Sequence, residues 1–161
     1  MKLYKNFDIS KNHKRSIILI GNFDGVHVGH QKLFKLANSY KKKFNLNIGV
    51  LTFEPMPKMF FSKSIKNFRI SNIDQKNIIL KGLGVDFVIT QKFDKKFSKI
   101  KSGFFIKEIL HKRLEAKYIF VSDNFKFGNK REGDVNQLIK GEKVYDYKII
   151  KPQPLILSQK V

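Results

Sequence analysis

The chain has 161 residues, 42% of them apolar, and its 33 basic and 13 acidic residues give a formal net charge of +20. This length and apolar fraction predict one globular domain with its own core and exclude a disordered chain. The absence of Cys excludes disulfide scaffolds and thiol catalysis, and the lack of a signal-like start or an apolar run near ~18 residues predicts a cytoplasmic protein without a membrane span.

The positive charge attracts anions, but its make-up argues against a surface that reads nucleic acid. The chain contains 29 Lys and only four Arg. Proteins that read bases depend on the bidentate guanidinium of Arg, so this bias favours a solvated, Lys-coated surface. We therefore expect small anionic molecules as partners, with nucleic acid as the lesser alternative.

Apolar runs alternate with amphipathic stretches along the chain. Ser71, with Asp74 three residues later, is the predicted N-cap of the second helix. The alternation predicts an α/β fold, a doubly wound five-stranded parallel sheet with helices on both faces. In chain order we predict a strand at 15–21, a helix at 28–43, a strand at 47–53, a helix from 71 to 82 or 84, a strand at 85–90, a helix at 103–114, a strand at 118–122, a loop at 123–133, a short helix at 134–140 and a strand at 144–150.

Three loops that follow predicted strands carry unusual residues: 21–30, 52–57 and 123–133. In doubly wound parallel sheets, ligands bind beyond the carboxyl ends of the strands, where the strand order switches. We therefore expect the functional residues of this chain in these three loops.

The loop at 21–30 is suited to phosphate. His27 and His30 are three residues apart at a predicted helix start, so both imidazoles lie on one face of its first turn. Gly25 and Gly29 let the backbone approach a ligand, and the amides of a helix N-terminus attract anions. A zinc site and purely structural imidazoles are the alternatives, although the two other His residues are isolated in the sequence.

The residues of these loops also carry a family resemblance. Residues 21–30 read GNFDGVHVGH, which resembles the H-x-G-H signature of the nucleotidyltransferase superfamily and, in full, that of the bacterial FAD synthetases, the bifunctional riboflavin kinase/FMN adenylyltransferases. Residues 52–57, TFEPMP, resemble the TFEPHP loop of that family, and DNFKFG at 123–128 with REGD at 131–134 resembles its DFRFG…GD segment. The resemblance covers residues 15–157 and implies a Rossmann-like nucleotidyltransferase fold.

The resemblance implies transfer of AMP from ATP to FMN, giving FAD and pyrophosphate. It makes His27 and His30 the catalytic pair, donating to phosphate oxygens, with Mg²⁺ carried on the ATP phosphates and no protein ligands to it. The implied ATP-binding residues are Gly21, Asn22, Phe23, Asp24, Gly25, His27, Gly29 and His30. The implied flavin-binding residues are Thr52, Phe53, Pro55, Pro57, Asp123, Asn124, Phe125 and Phe127.

Several of these residues also have a purely structural interpretation. Phe53, Phe125 and Phe127 alternate with polar neighbours and fit a core equally well. The two Pro residues of the second loop can simply stiffen it, and Asp24, Asp123 and Asn124 are ordinary turn or cap formers.

The chain departs from the family pattern at three places. Met56 stands where the family has His, which removes a polar contact, and Lys126 replaces an Arg, which keeps the charge but loses the planar fork. The family continues after its fifth strand into an S-S-T-x-x-R segment and a riboflavin kinase module. Here we expect a single adenylyltransferase domain over 1–161 that stops before both, with impaired turnover.

Three rival functions remain open. A nucleotidyltransferase for phosphopantetheine, nicotinamide mononucleotide or glycerol phosphate shares the first loop but explains neither of the other two. A basic nucleic-acid-binding protein predicts steep salt dependence. A catalytically dead nucleotide-binding remnant predicts ligand binding without turnover.

Overall fold

A six-stranded parallel sheet forms the centre of the computed structural model, which describes residues 1–26, 28–62 and 72–152. His27 and Ser71, for which the sequence predicts roles, lie outside the described residues. The strands of this sheet are β1 (Lys2–Tyr4), β2 (Ile17–Ile20), β3 (Ile48–Glu54), β4 (Phe87–Lys92), β5 (Tyr118–Phe120) and β8 (Lys148–Ile150). The strands β6 (Lys126–Phe127) and β7 (Gly133–Asp134) form a separate two-stranded sheet.

Helices connect most of these strands. They are α1 (Val28–Phe44), α2 (Pro57–Phe61), α3 (Ile73–Gly82), α4 (Lys95–Ser98), α5 (Ser102–Phe104), a π-helical segment that follows α5 directly (Phe105–Arg113), α6 (Val135–Lys140) and α7 (Glu142–Tyr145). Among the described residues, no helix is both long and apolar enough to cross a membrane.

The strand order is β1-β4-β3-β2-β5-β8, and each neighbouring pair is parallel. From β2 the chain builds outward through β3 and β4, and then returns to the other side of β2 to add β5 and β8. The strand order therefore switches between β2 and β5, and at such a switch the loops leave a crevice beyond the carboxyl ends of the strands.

Both faces of the sheet are covered, as predicted. Ile17 and Leu19 of β2 point to one face, where they pack with α1 and α3, while Ile18 and Ile20 point to the other, where they pack with the π-helical segment and α6. This alternation follows from the two-residue repeat of a strand. The α/β fold with a doubly wound parallel sheet is thus confirmed.

Three details of the predicted element order are wrong. The sheet has a sixth strand, β1, which is short and largely exposed and so carries no apolar signal. Of the strand predicted at 144–150, only Lys148–Ile150 is a strand, and its first two residues, Val144 and Tyr145, are the end of the helix α7. The loop at 123–133 contains β6, which pairs with β7 in an antiparallel ribbon.

The second predicted helix begins one residue later than expected. Asn72 is its N-cap: the Asn72 side chain accepts a hydrogen bond from the amide of Gln75, and the Gln75 side chain accepts one from the amide of Asn72. This reciprocal capping box fixes the start of α3.

Candidate functional site

The three loops predicted to carry function follow three adjacent strands, β3, β2 and β5. Because parallel strands place their carboxyl ends at one edge, the loops beginning near Gly21, Pro55 and Asp123 emerge side by side. The sequence predicts the loops but not the strand order, and it is the order that brings them together.

The loop after β2 turns sharply before α1. The amide of Gly21 donates to the carbonyl of Leu51 on β3 at 3.1 Å, which continues the sheet pairing by one residue. Phe23 and Gly25 both have positive φ, 49° and 56°. A positive φ is uncommon outside Gly, so at Phe23 the surrounding structure imposes the turn.

The ring of Phe23 belongs to the core. It is 6% exposed, lies 5.3 Å from the ring of Phe34 and meets the imidazole of His30 edge-on at 5.2 Å between centroids. The Phe23 ring therefore packs against His30 from the core side, and the ATP contact predicted for this residue is left to its backbone.

His30 lies in the first turn of α1, one residue after Gly29. The side chain of His30 is half-buried overall, and its Nδ1 atom is fully buried. An imidazole held in this way, beside the amides that open a helix, can present its other nitrogen to an anion. Within the described residues, the side-chain oxygen of Asn22 in the same loop is buried and makes no hydrogen bond.

Lys76 is a residue of this site that the sequence analysis missed. It is 8% exposed, and its ammonium donates to the Asn22 carbonyl at 3.1 Å and to the Thr52 hydroxyl at 3.2 Å. The available signal was a charged residue on the apolar stripe of α3, between Ile73 and Leu80. A Lys is rarely buried unless it is paired.

The end of β3 and the loop after it are more buried than expected, because Thr52 and Phe53 belong to the strand itself. Thr52 is fully buried against Lys76, and Phe53 is 9% exposed and packs with Phe93 and Phe97. Met56, where the family has His, is 4% exposed. The more accessible part of this segment is therefore its two Pro residues, 55 and 57, which are half-buried. The Glu54–Pro55 peptide is cis, and Pro57 is the first residue of α2.

An aromatic cluster at the end of β4 was not predicted. Phe60 and Phe61 of α2 meet Phe93 at 5.3 and 5.8 Å between ring centroids, and Phe61 is 67% exposed. The adjacent Phe pair, which begins three residues after the end of the TFEPMP motif, was the available signal. Exposed aromatic faces at a ligand-binding edge can stack on a planar ring.

The loop after β5 divides into an exposed start and a packed end. Asp123 and Asn124 are exposed, whereas Phe127 is 8% exposed and packs on Phe105. Phe125 stacks on Phe127 at 5.4 Å with an interplanar angle of 18°. The structure thus gives Phe127 a place in the core and leaves Phe125 partly accessible.

This loop is anchored to the start of the neighbouring helix. The Glu132 carboxylate accepts a hydrogen bond from the amide of Ser102 at 2.8 Å. Gly128 has a φ of 78°, and a Cβ there would lie 2.8 Å from the same amide nitrogen. Only Gly permits so close an approach, which fixes where the loop passes the helix.

The two remaining His residues are not part of this edge. His13 stacks on Phe87 at 4.5 Å and lies 2.7 Å from the Tyr4 hydroxyl, and His111 lies near Tyr145. Across the ranges that the structure describes, no group of three or more His, Asp or Glu could hold a metal ion.

The comparisons with known proteins point to one family. Residues 9–161 match the family model described as FAD synthetase. The chain is 36% identical over 164 residues to the bifunctional riboflavin kinase/FMN adenylyltransferase of Buchnera aphidicola subsp. Schizaphis graminum, covering all of this chain and 52% of that protein. It is also 36% identical over 137 residues to the protein of that name from Escherichia coli K12, covering 85% of this chain and 44% of that protein. The chain thus spans about half the length of these curated relatives.

Two solved structures have a similar fold. A crystal structure described as a macrolide-efflux protein from Streptococcus pneumoniae superposes with a TM-score of 0.77 at 29% identity, over 95% of this chain and 49% of that one. A pantoate-β-alanine ligase from Francisella tularensis superposes with a TM-score of 0.58 at 17% identity, over 97% of this chain and 69% of that one, and shares the fold alone. With a family model matched over most of its length, this chain belongs to the FAD synthetase family.

Proposed function

We propose that this chain transfers AMP from ATP to FMN, forming FAD and pyrophosphate. In this reaction a phosphate oxygen of FMN attacks the α-phosphorus of ATP, and the bond from that phosphorus to the bridging oxygen breaks. The observation that carries the proposal is the convergence of the three family loops on adjacent strands β3, β2 and β5.

The phosphate nucleophile is already anionic near neutral pH, so the protein needs no general base. Its task is to position two anions and to stabilise the charge that develops on the leaving pyrophosphate. We assign this task to His27, His30 and the backbone of residues 21–25, at the N-terminus of α1, whose dipole favours negative charge.

Mg²⁺ fits the site as an ion bound to the ATP phosphates, since the described residues offer imidazole and amide donors to those oxygens but no carboxylate cage. When bound, it supplies charge neutralisation on the polyphosphate.

We place the flavin on the other two loops. Pro55, Pro57 and the exposed part of the aromatic cluster lie on the β3 side, and Asp123, Asn124 and the partly exposed Phe125 on the β5 side. Thr52, Phe53 and Phe127 support these surfaces from the core. A bound isoalloxazine would then stack on Phe61 or Phe125.

We further propose that residues 1–161 form one adenylyltransferase domain and that the FMN comes from a riboflavin kinase module or a separate kinase. The relatives are named as bifunctional enzymes, and this chain spans about half of their length. The chain contains no Cys and so needs no oxidising compartment for disulfides, and we propose that the reaction takes place in the cytoplasm.

The test measures FAD formation from FMN and ATP in the presence of Mg²⁺. We expect His30→Gln to lower the rate about 100-fold, because a phosphate donor is lost, while the melting temperature stays within about 2 °C of the parent. His111→Gln, which changes an imidazole away from the three loops, is the matched control and should keep the parent rate.

Other outcomes would redirect the assignment. Full activity of the His30 variant would contradict the phosphate role of this imidazole. Acceptance of nicotinamide mononucleotide, phosphopantetheine or glycerol phosphate instead of FMN would overturn the flavin assignment and indicate a different nucleotidyltransferase.

A further inference from the structure

We propose that Lys76 is a positioning residue for the ATP side of the site: its ammonium fixes the peptide that joins Asn22 to Phe23, and Thr52 in turn fixes the ammonium. This inference rests on the proposed adenylyl transfer and assigns a role to a residue outside the three loops. It also changes the role expected for Thr52, from a flavin contact to an anchor for Lys76.

The first argument is the burial of a charge. Lys76 is 8% exposed and occupies a position of α3 that packs against the sheet, four residues before the fully buried Leu80. Burying an ammonium is costly unless hydrogen bonds and charge compensate it. For packing alone an unbranched apolar side chain of similar length would serve, so the charge points to a further role.

The second argument is that the ammonium contacts atoms of two different elements of the site. It donates to the main-chain carbonyl of Asn22 and to the hydroxyl of Thr52, at 3.1 and 3.2 Å. One atom belongs to the loop after β2 and the other to β3, so a single side chain from α3 ties two neighbouring parts of the site together.

The third argument is the path from Lys76 to His30. In a trans peptide the carbonyl of one residue and the N–H of the next point in opposite directions. With the Asn22 carbonyl held by Lys76, the Phe23 amide therefore faces away from the ammonium, and Phe23 enters its positive-φ conformation. Its ring then packs edge-on against the imidazole of His30.

A site that stabilises developing phosphate charge depends on donors that are already in place before the reaction. Without the ammonium, the peptide between Asn22 and Phe23 can rotate, and both the amide and the support of His30 lose their fixed position. We therefore expect the loss of Lys76 to weaken ATP binding and slow the transfer, while the flavin surfaces stay intact.

The experiment compares Lys76→Met with Lys81→Met, which removes the same charge from an exposed position of the same helix. For Lys76→Met we expect the Kd of a non-hydrolysable ATP analogue to rise about 10-fold and kcat/KM for ATP to fall about 30-fold, with the Kd for FMN within about 2-fold of the parent. Lys81→Met should match the parent in all three. Thr52→Val keeps the branched shape but loses the hydroxyl, and should move ATP binding in the same direction by about 3-fold.

A chemical rescue separates the ammonium from the fold. Because the chain contains no Cys, Lys76→Cys carries a single thiol, and its alkylation with 2-bromoethylamine in the unfolded state followed by refolding restores an ammonium on a side chain of nearly the same length. Recovery to within about 3-fold of a parent sample treated in the same way supports the positioning role. Recovery of the melting temperature without recovery of ATP binding would overturn it.

The two proposals fail differently. Equal ATP-analogue affinities in Lys76→Met and Lys81→Met would overturn the role of Lys76, whatever the acceptor of the reaction is. ATP-analogue binding that depends on Lys76 in a protein that forms no FAD from FMN would instead overturn the flavin assignment and keep the positioning role.

Discussion

Gly49 is a core position where packing leaves no room for a side chain. It is the second residue of β3, and a Cβ built on it would overlap the ring of Phe87 on β4. That ring in turn stacks on His13 and meets Tyr4 of β1 edge-on at 6.0 Å. The missing side chain at residue 49 thus creates the space in which the edge strand is held.

We expect Gly49→Ala to lower the free energy of unfolding by about 2 kcal/mol, because the ring must move in a close-packed interior. Urea denaturation followed by circular dichroism measures the change. Gly82→Ala is the matched control: a Cβ there meets nothing within 4 Å, and its effect should stay within about 0.5 kcal/mol. Equal effects of the two substitutions would contradict the packing argument.

The sequence predicts part of the candidate site for definable reasons. The loop at 21–30 is predictable because two His and several Gly follow an apolar run, and the other two loops are predictable from their motifs. Lys76 escapes prediction because the sequence does not show that a Lys on an apolar stripe points inward. Phe53 and Phe127 could not be divided between ligand and core, since that depends on which side of each loop packs against its neighbours.

At the scale of elements, α3 depends on its capping box. Lys76 lies on this helix and reaches the site from it, and the reciprocal hydrogen bonds between Asn72 and Gln75 fix the first turn of the helix. The position of the ammonium is therefore set by where the helix begins.

We expect Asn72→Ala to destabilise the protein by about 1 kcal/mol, because the amide of Gln75 loses its acceptor. Asn72→Ser keeps a side-chain oxygen that can cap the helix and should restore most of that stability. Thermal and urea unfolding of the two variants provide the measurement, and equal stabilities would show that the cap contributes nothing.

A helix or strand could be predicted where its own residues are sufficient to specify it. Ile17–Ile20 is a continuous apolar run, which indicates a strand buried on both faces. β1 is different: Lys2–Tyr4 is a strand only because β4 offers it an edge, and no local pattern reveals that partner. The end of α7 falls within the strand predicted at 144–150, because its apolar residues are too few to distinguish the period of a helix from that of a strand.

At the scale of the whole molecule, the cluster around His13 makes stability depend on pH. Burial lowers the pKa of His13 below its usual range, more than the Asp86 carboxylate raises it, and Lys2 and the N-terminal amine lower it further. Because the unfolded chain then binds the proton more tightly than the folded protein, the contribution of His13 to stability is present above pH 6.5 and is lost as the pH falls through its folded pKa.

We expect the parent protein to lose more stability between pH 7 and pH 5 than His13→Gln, which does not titrate in this range. Urea midpoints at several pH values measure the two slopes, and the difference between them isolates His13 from the other three imidazoles. Parallel slopes would contradict this prediction.

The pairing of β1 with β4 also affects how the protein is made. Phe87, the neighbour of Lys2 in the sheet, is synthesised roughly 85 residues after it, which takes on the order of 5–15 s at typical elongation rates. During this interval β1 lacks the strand with which it pairs. The pairing of β1 with β4 can therefore form only after both β2 and β3 have been synthesised.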